Sequence, residues 1–241
     1  MPVKSKIDLN CDLGEGLGNE HLLMPFLSSC NIACGAHAGS VETMDKVIAL
    51  AQEHSVKIGA HPSFPDRENF GRVIMEISDV DLIKSLKEQL KLFRERADRQ
   101  GAKVNHVKAH GALYNLIAVD REKAEMLVSL VQEELRNAKI YLPFTSAVEK
   151  VAREQGITIV YEAFADRNYN DDLTLVPRLL PRAVIAKENV LEHVRRMVVE
   201  SKVKTIEGQE VAIKADTLCI HGDNPNALDI LVDLNKEFRV E

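Results

Sequence analysis

Five apolar runs in this chain end the same way, in an ionisable residue followed closely by Gly, Pro or another small residue. The segments are DLNCDLGEG (8–16), NIACGAHAG (31–39), KIGAHPSFPD (57–66), HVKAHGALYN (106–115) and LCIHGDNPN (218–226). Short apolar runs that alternate with longer stretches of helical period are the signature of βα units around a parallel sheet. In such folds the C-terminal strand ends converge, so this punctuation predicts one pocket assembled from residues far apart in sequence.

Seven runs qualify as strands: 7–11, 31–34, 56–60, 104–109, 140–142, 157–163 and 217–220. The clearest helix covers 79–100, with an apolar stripe of Leu82, Ile83, Leu86, Leu90, Phe93 and Ala97, Ser78 as its cap and Gly101 at its end. Further helices are expected to begin near Ser40, Asp120, Ser146, Glu188 and Asn224, the last with Pro225 at its first helical position. Between 202 and 214 the pattern alternates with period two around Glu207-Gly208, which reads as an inserted β-hairpin. No repeat or linker divides the chain. An α/β fold in one domain over 1–241, an irregular barrel of about seven parallel strands, is the economical reading, with a doubly wound open sheet as the alternative.

Composition narrows the chemistry. A formal net charge of -6 with scattered basic residues leaves no footprint for nucleic acid or an anionic membrane. No apolar run approaches the roughly 20 residues of a membrane helix, and the start leads directly into a strand pattern, so a cytoplasmic protein is expected. The four cysteines form no CxxC pair, and Cys11, Cys34 and Cys219 read as small buried residues at strand ends.

Residues two apart on a strand share a face. Asp8, Asn10 and Asp12 form one such rail, and His106, Lys108 and His110 another; Glu162 and Asp166 share parity and are followed by Arg167. Rails this polar are expected to face the barrel interior or a ligand. His37, His61, His110 and His221 repeat one placement after a strand, which singles them out from isolated structural histidines. His37 and His61, with carboxylates of the first strand, could make an open metal site. Glycines 14, 16 and 18 do not complete a G-x-G-x-x-G motif, and no Walker A motif is present.

With these residues in view, the sequence resembles the LamB/YcsF family. The motifs are DLNCDLGEG, NIACGAHAG, GAHPSFPDRENFGR (59–72), VKAHGALYN (107–115), EAFADRNY (162–169), LVPR (175–178) and IHGDNP (220–225), spread over nearly the whole chain. The resemblance implies a distorted seven-stranded parallel β/α barrel of the glycoside hydrolase/deacetylase-like kind. It also implies ATP-dependent hydrolysis of the lactam of 5-oxo-L-proline (pyroglutamate) to L-glutamate, with magnesium accompanying ATP and with B and C partner subunits. The chain departs from the family pattern at Ala109, where Pro is usual, and at Val73 and Arg182, where Arg and Gly are expected.

On that reading, Asp12 or Asp8 takes the proton of the attacking water, and His110 or His61 protonates the departing ring nitrogen. Lys108 and Arg167 hold phosphate or oxyanion charge, while Glu162 and Asp166 orient these cations or bind magnesium. Asn10, Glu15, Arg178, His221 and Asp223 fall in the same motifs and are expected to contact the co-substrate. Two other classes share these residues: a metal-dependent deacetylase or amidohydrolase acting on a carbohydrate or small amide, and a non-catalytic ligand-binding subunit.

Overall fold

The computed structural model describes residues 5–178 and 180–240. Seven strands (Leu9–Leu13, Ser29–Ala33, Lys57–His61, Val104–Val107, Lys139–Pro143, Ile159–Phe164 and Thr217–Ile220) pair in parallel. The seventh pairs with both the first and the sixth, so the barrel is closed rather than an open sheet. A register shift between Ile58 and Gly59, opposite Val104 and His106, distorts it.

The apolar run at 7–11 proves to be two elements. Lys6–Ile7 pairs with Arg239–Val240 outside the barrel, and the first barrel strand starts only at Leu9. Helix Asp79–Arg99 is capped by Ser78, whose Oγ accepts from the Asp81 amide. Its stripe differs by one residue: Ile83 is exposed, and Gln89 is buried instead, its amide bonded to both the N–H and the C=O of Ser63. Helix Gly111–Val119 had no separate signal, being short and apolar on most sides. The last helix runs over Ala227–Glu237 and starts beyond Pro225, because Asn224 Oδ1 accepts from the Asn226 amide and forms a turn first. The hairpin is present, with Lys202–Lys204 antiparallel to Glu210–Ala212.

Two cores result. Leu9, Ile32, Ile58, Val107, Ile140 and Leu218 join the helix stripes in the apolar layer outside the barrel. Inside the barrel most side chains are polar and hydrogen-bonded to one another. Asn10 donates to Thr217 Oγ1 (2.9 Å), Asn31 donates to Asn10 Oδ1 and Asp12 Oδ1 (2.8 Å each), and His106 Nε2 meets Asn31 Oδ1 at 2.6 Å. The His106 ring stacks on Tyr141 with centroids 3.8 Å apart, and the Tyr141 hydroxyl bonds to Ser29. Burial holds the His106 pKa well below its ordinary value, so this ring is neutral.

The stacked ring explains the glycine opposite it. A Cβ at Gly59 would lie 2.2 Å from His106 Nε2, and Tyr141 blocks the ring's retreat. Gly59→Ala is therefore expected to lose about 1–3 kcal/mol of stability by overpacking, read as a lower denaturation midpoint at unchanged m-value. A midpoint equal to that of the unsubstituted chain would show that the barrel interior yields. Arg182, at a position where the family pattern leads one to expect Gly, has φ +63°, the left-handed region that glycine reaches freely.

Candidate active site

The C-terminal mouth of the barrel opens into a cavity of about 480 Å³. Asp12, Glu15, His61, Lys108, His110, Arg167, Arg178, His221 and Asp223 all line it. They reach it from the ends of the first, third, fourth, sixth and seventh barrel strands and the loops that follow. Loop geometry assists. Gly111, at φ +54°, lets the helix after His110 start against the loop at Gly71, whose carbonyl would lie 2.5 Å from any Cβ there.

Lys108 is the electrostatic centre of the floor. Its Nζ donates to Asp12 Oδ1 (2.9 Å) and Cys219 Sγ (3.1 Å) and lies 2.9 Å from Glu162 Oε1, an ionic contact off the hydrogen-bonding angle. Burial alone would lower the Lys108 pKa, but Asp12 and Glu162 reverse this and hold it well above the usual lysine value. Burial likewise pushes Asp12 upward, while its contacts with His61 and the Lys108 ammonium outweigh it and keep the carboxyl well below the ordinary range. The ammonium is nearly inaccessible and sits among Asp12, Glu162 and Cys219. Lys108 thus holds the two carboxylates at the cavity floor rather than standing apart to meet the phosphate expected from the sequence.

Three arginines stand at the rim. Asp223 bridges Arg72 (2.7 Å) and Arg178, and Arg167 is buried beside them with its guanidinium donating to Val176 O (2.6 Å) and Ala183 O (3.2 Å). Three guanidiniums against one carboxylate leave the rim formally positive. Arg72 was not singled out in the sequence, although it closes the GAHPSFPDRENFGR motif. Val73, where an Arg is expected, lines the cavity and is more than half exposed, so nothing in the packing demands a long side chain there.

Asp166 has both oxygens occupied, accepting from His221 Nδ1 (2.9 Å), the His221 amide (3.2 Å) and Asn224 Nδ2 (3.0 Å). Both oxygens are thus turned toward His221 and Asn224, which makes Asp166 the group that orients His221. A carboxylate on Nδ1 fixes the hydrogen there and turns Nε2 into the free nitrogen of a ring that lines the cavity.

Two expected site residues lie elsewhere. Asp8 sits at the opposite mouth, bonded to Thr217 Oγ1 (2.6 Å) and 3.5 Å from Lys57 Nζ, because the barrel strand begins after it. Asn10 is fully buried among Thr217 and Asn31 and cannot touch a co-substrate. His37 is displaced by one layer from the metal-binding role expected of it. It stacks on His110 at 3.8 Å and supports Glu15 (3.2 Å), while the group able to hold a metal ion is Asp12, Glu15, His61 and His110. Among the described residues no helix is long and apolar enough to cross a membrane.

The chain is a parallel β/α barrel with a buried Lys–carboxylate network, paired histidines and a cationic rim at its C-terminal mouth. Residues 7–241 match the model of the LamB/YcsF family, and the chain belongs to that family. It is 42% identical over 234 residues to a Haemophilus influenzae protein named as the A subunit of 5-oxoprolinase, with 97% of this chain and 96% of the relative covered. A Campylobacter jejuni protein of the same name is 41% identical, with 98% and 95% covered. The crystal structure of the lactam utilization protein from Thermus thermophilus superposes with a TM-score of 0.89 at 35% identity, covering 98% of each chain.

Proposed function

We propose that this chain is the A component of an ATP-dependent 5-oxoprolinase that opens the lactam of 5-oxo-L-proline to L-glutamate. The observation that carries the reading is one cavity with an acid–base floor and an arginine rim, in a chain so closely similar to proteins bearing that name. A five-membered lactam resists hydrolysis, and phosphorylation of its amide oxygen by ATP supplies both drive and an activated carbon. Water then adds to that carbon, the C–N bond breaks to leave an acyl phosphate, and a second water releases phosphate and glutamate.

The residues divide this work by position. Asp12 Oδ1 is tied to Lys108 and Asn31, so Oδ2, facing the cavity side near His61, takes the proton from water. The acid role moves from His110 and His61 to His221. His110 Nε2 is held by Phe70 O and His61 Nδ1 by Lys108 O, and their other nitrogens face each other, whereas His221 Nε2 has no hydrogen-bond partner among the described residues, so a proton taken up there can pass to the ring nitrogen. Arg72, Arg178 and Arg167 bind the substrate carboxylate and the transferred phosphate, where planar bidentate donors suit both groups.

The chain has no Walker A loop and no complete dinucleotide motif, which supports phosphorylation, with magnesium and ATP, by the B and C partner subunits. Purified chain mixed with ATP, magnesium and 5-oxoproline is expected to release no appreciable glutamate, and to release it once both partners are added. Full activity from the chain alone would remove the division of labour. ATP-independent cleavage of amides would instead mark a plain amidohydrolase.

A further inference from the structure

The histidines of the cavity floor have their tautomers fixed so that bare lone pairs face one another. His61 Nδ1 lies 2.7 Å from Lys108 O, and a carbonyl only accepts, so in the neutral ring Nδ1 carries the hydrogen and Nε2 is bare. His110 Nε2 lies 2.9 Å from Phe70 O, which leaves Nδ1 bare. Yet His61 Nε2 and His110 Nδ1 stand 2.9 Å apart. His37 repeats the pattern: its Nδ1 donates to Ser63 Oγ (2.8 Å), whose own hydrogen goes to Phe64 O, so Nε2 faces Glu15 Oε1 (3.2 Å) as a second acceptor. Asp12 Oδ2 is 3.4 Å from His61 Nε2, and Glu15 Oε1 is 3.5 Å from His110 Nδ1. Acceptor meets acceptor throughout, and such contacts need a positive centre among them.

We propose that Asp12, Glu15, His61 and His110 bind one divalent cation of the zinc class. One proton shared by His61 and His110 would satisfy a single contact and leave the carboxylate contacts as they are. A cation answers all four donors at once. Their ligand atoms lie within 4.8 Å of one another, and bonds of about 2.0–2.2 Å imply ligand separations of about 3.3–3.6 Å, so the group closes by about 1 Å. Imidazole with carboxylate suits a first-row metal, and the carbonyls on the far nitrogens of both rings are the orienting partners metal-bound histidines use. Asp12, Glu15 and Glu162 against Lys108 sum formally to −2, the charge such a cation cancels. All four ligands line the cavity, so the ion would present an open side to bound water, which Asp12 Oδ2 would then help to hold.

The site would claim the Asp12 oxygen that the ring-opening reading uses as base, so its test reads metal rather than turnover. Chelator-treated full-length chain titrated with Co²⁺ is expected to develop the visible bands of a four- or five-coordinate ion at one per chain, displaced by Zn²⁺. His61→Gln and His110→Gln, checked for folding by circular dichroism, should each weaken Co²⁺ by more than the 10- to 100-fold typical of losing an outer partner. Nitrogen NMR of the unsubstituted chain gives a variant-free reading: Zn²⁺ should shift His61 Nε2 and His110 Nδ1 together. A Co²⁺ spectrum like that of the free aquo ion, undiminished bands in both variants, or unmoved imidazole resonances would each overturn the site.

Discussion

Replacing Asp12 by Asn is expected to lower glutamate release by the assembled complex by about 10²–10⁴-fold in kcat while leaving the fold in place. The amide oxygen can still accept from Lys108 and Asn31, which now bond to Asp12 Oδ1 at 2.9 and 2.8 Å, and the new NH₂ can donate toward His61 Nε2. What disappears is the basic oxygen on the cavity side. Shape and hydrogen bonding survive, so the loss should appear in kcat with a thermal midpoint close to that of the parent chain. Turnover within a few-fold of the parent would remove Asp12 from the chemistry. A collapse of the midpoint would show instead that its charge is mainly a folding device.

Lys108→Met should do the opposite and act first on folding. The side chain is nearly inaccessible, and its ammonium is the only counter-charge in contact with both Asp12 and Glu162 among the described residues. Methionine fills similar volume but strands two buried carboxylates, a situation worth about 3–5 kcal/mol when one partner of a buried pair is removed. Denaturant unfolding measures this directly. A loss under about 1 kcal/mol would mean that the carboxylates find protons or water at little cost. The second substitution Glu162→Gln made together with Lys108→Met should restore part of the loss, because it removes one of the two stranded charges.

The contrast between these variants shows where sequence reading reaches its limit. Asp12 and Lys108 were both legible as members of polar rails, since parity along a strand depends only on position. Their roles were not. Lys108 looked like an anion binder until the structure placed Asp12, Glu162 and Cys219 around its ammonium. His221 looked like a co-substrate contact until Asp166, 55 residues away, was found on its Nδ1. Arg72 had no rail to belong to, because it lies in a loop whose course is set by contacts such as that of Gly71 with Gly111.

Asp8 illustrates the same limit from the other side. It shares parity with Asn10 and Asp12, yet a strand advances about 3.3 Å per residue, so four residues separate the two mouths of a small barrel. Parity names the face and is silent on the depth. The break between Lys6–Ile7 and Leu9–Leu13 depends on pairing with Arg239–Val240 at the other end of the chain.

What the sequence determined by itself was local and periodic: seven parallel strands, the helix of 79–100 with its Ser78 cap, the hairpin at 202–214, and the strand-end grammar that gathers ionisable groups at one mouth. Hydrophobic period and turn chemistry act over a few residues, and so they can be read there. Tertiary structure decided between the barrel and an open sheet, and it alone set the stacking of His106 on Tyr141 inside that barrel and the partner that each histidine nitrogen meets. Those features rest on partners such as Lys108 O for His61 and Phe70 O for His110, brought within hydrogen-bonding distance only when strands and loops distant in sequence are held together by the packed apolar layer around them.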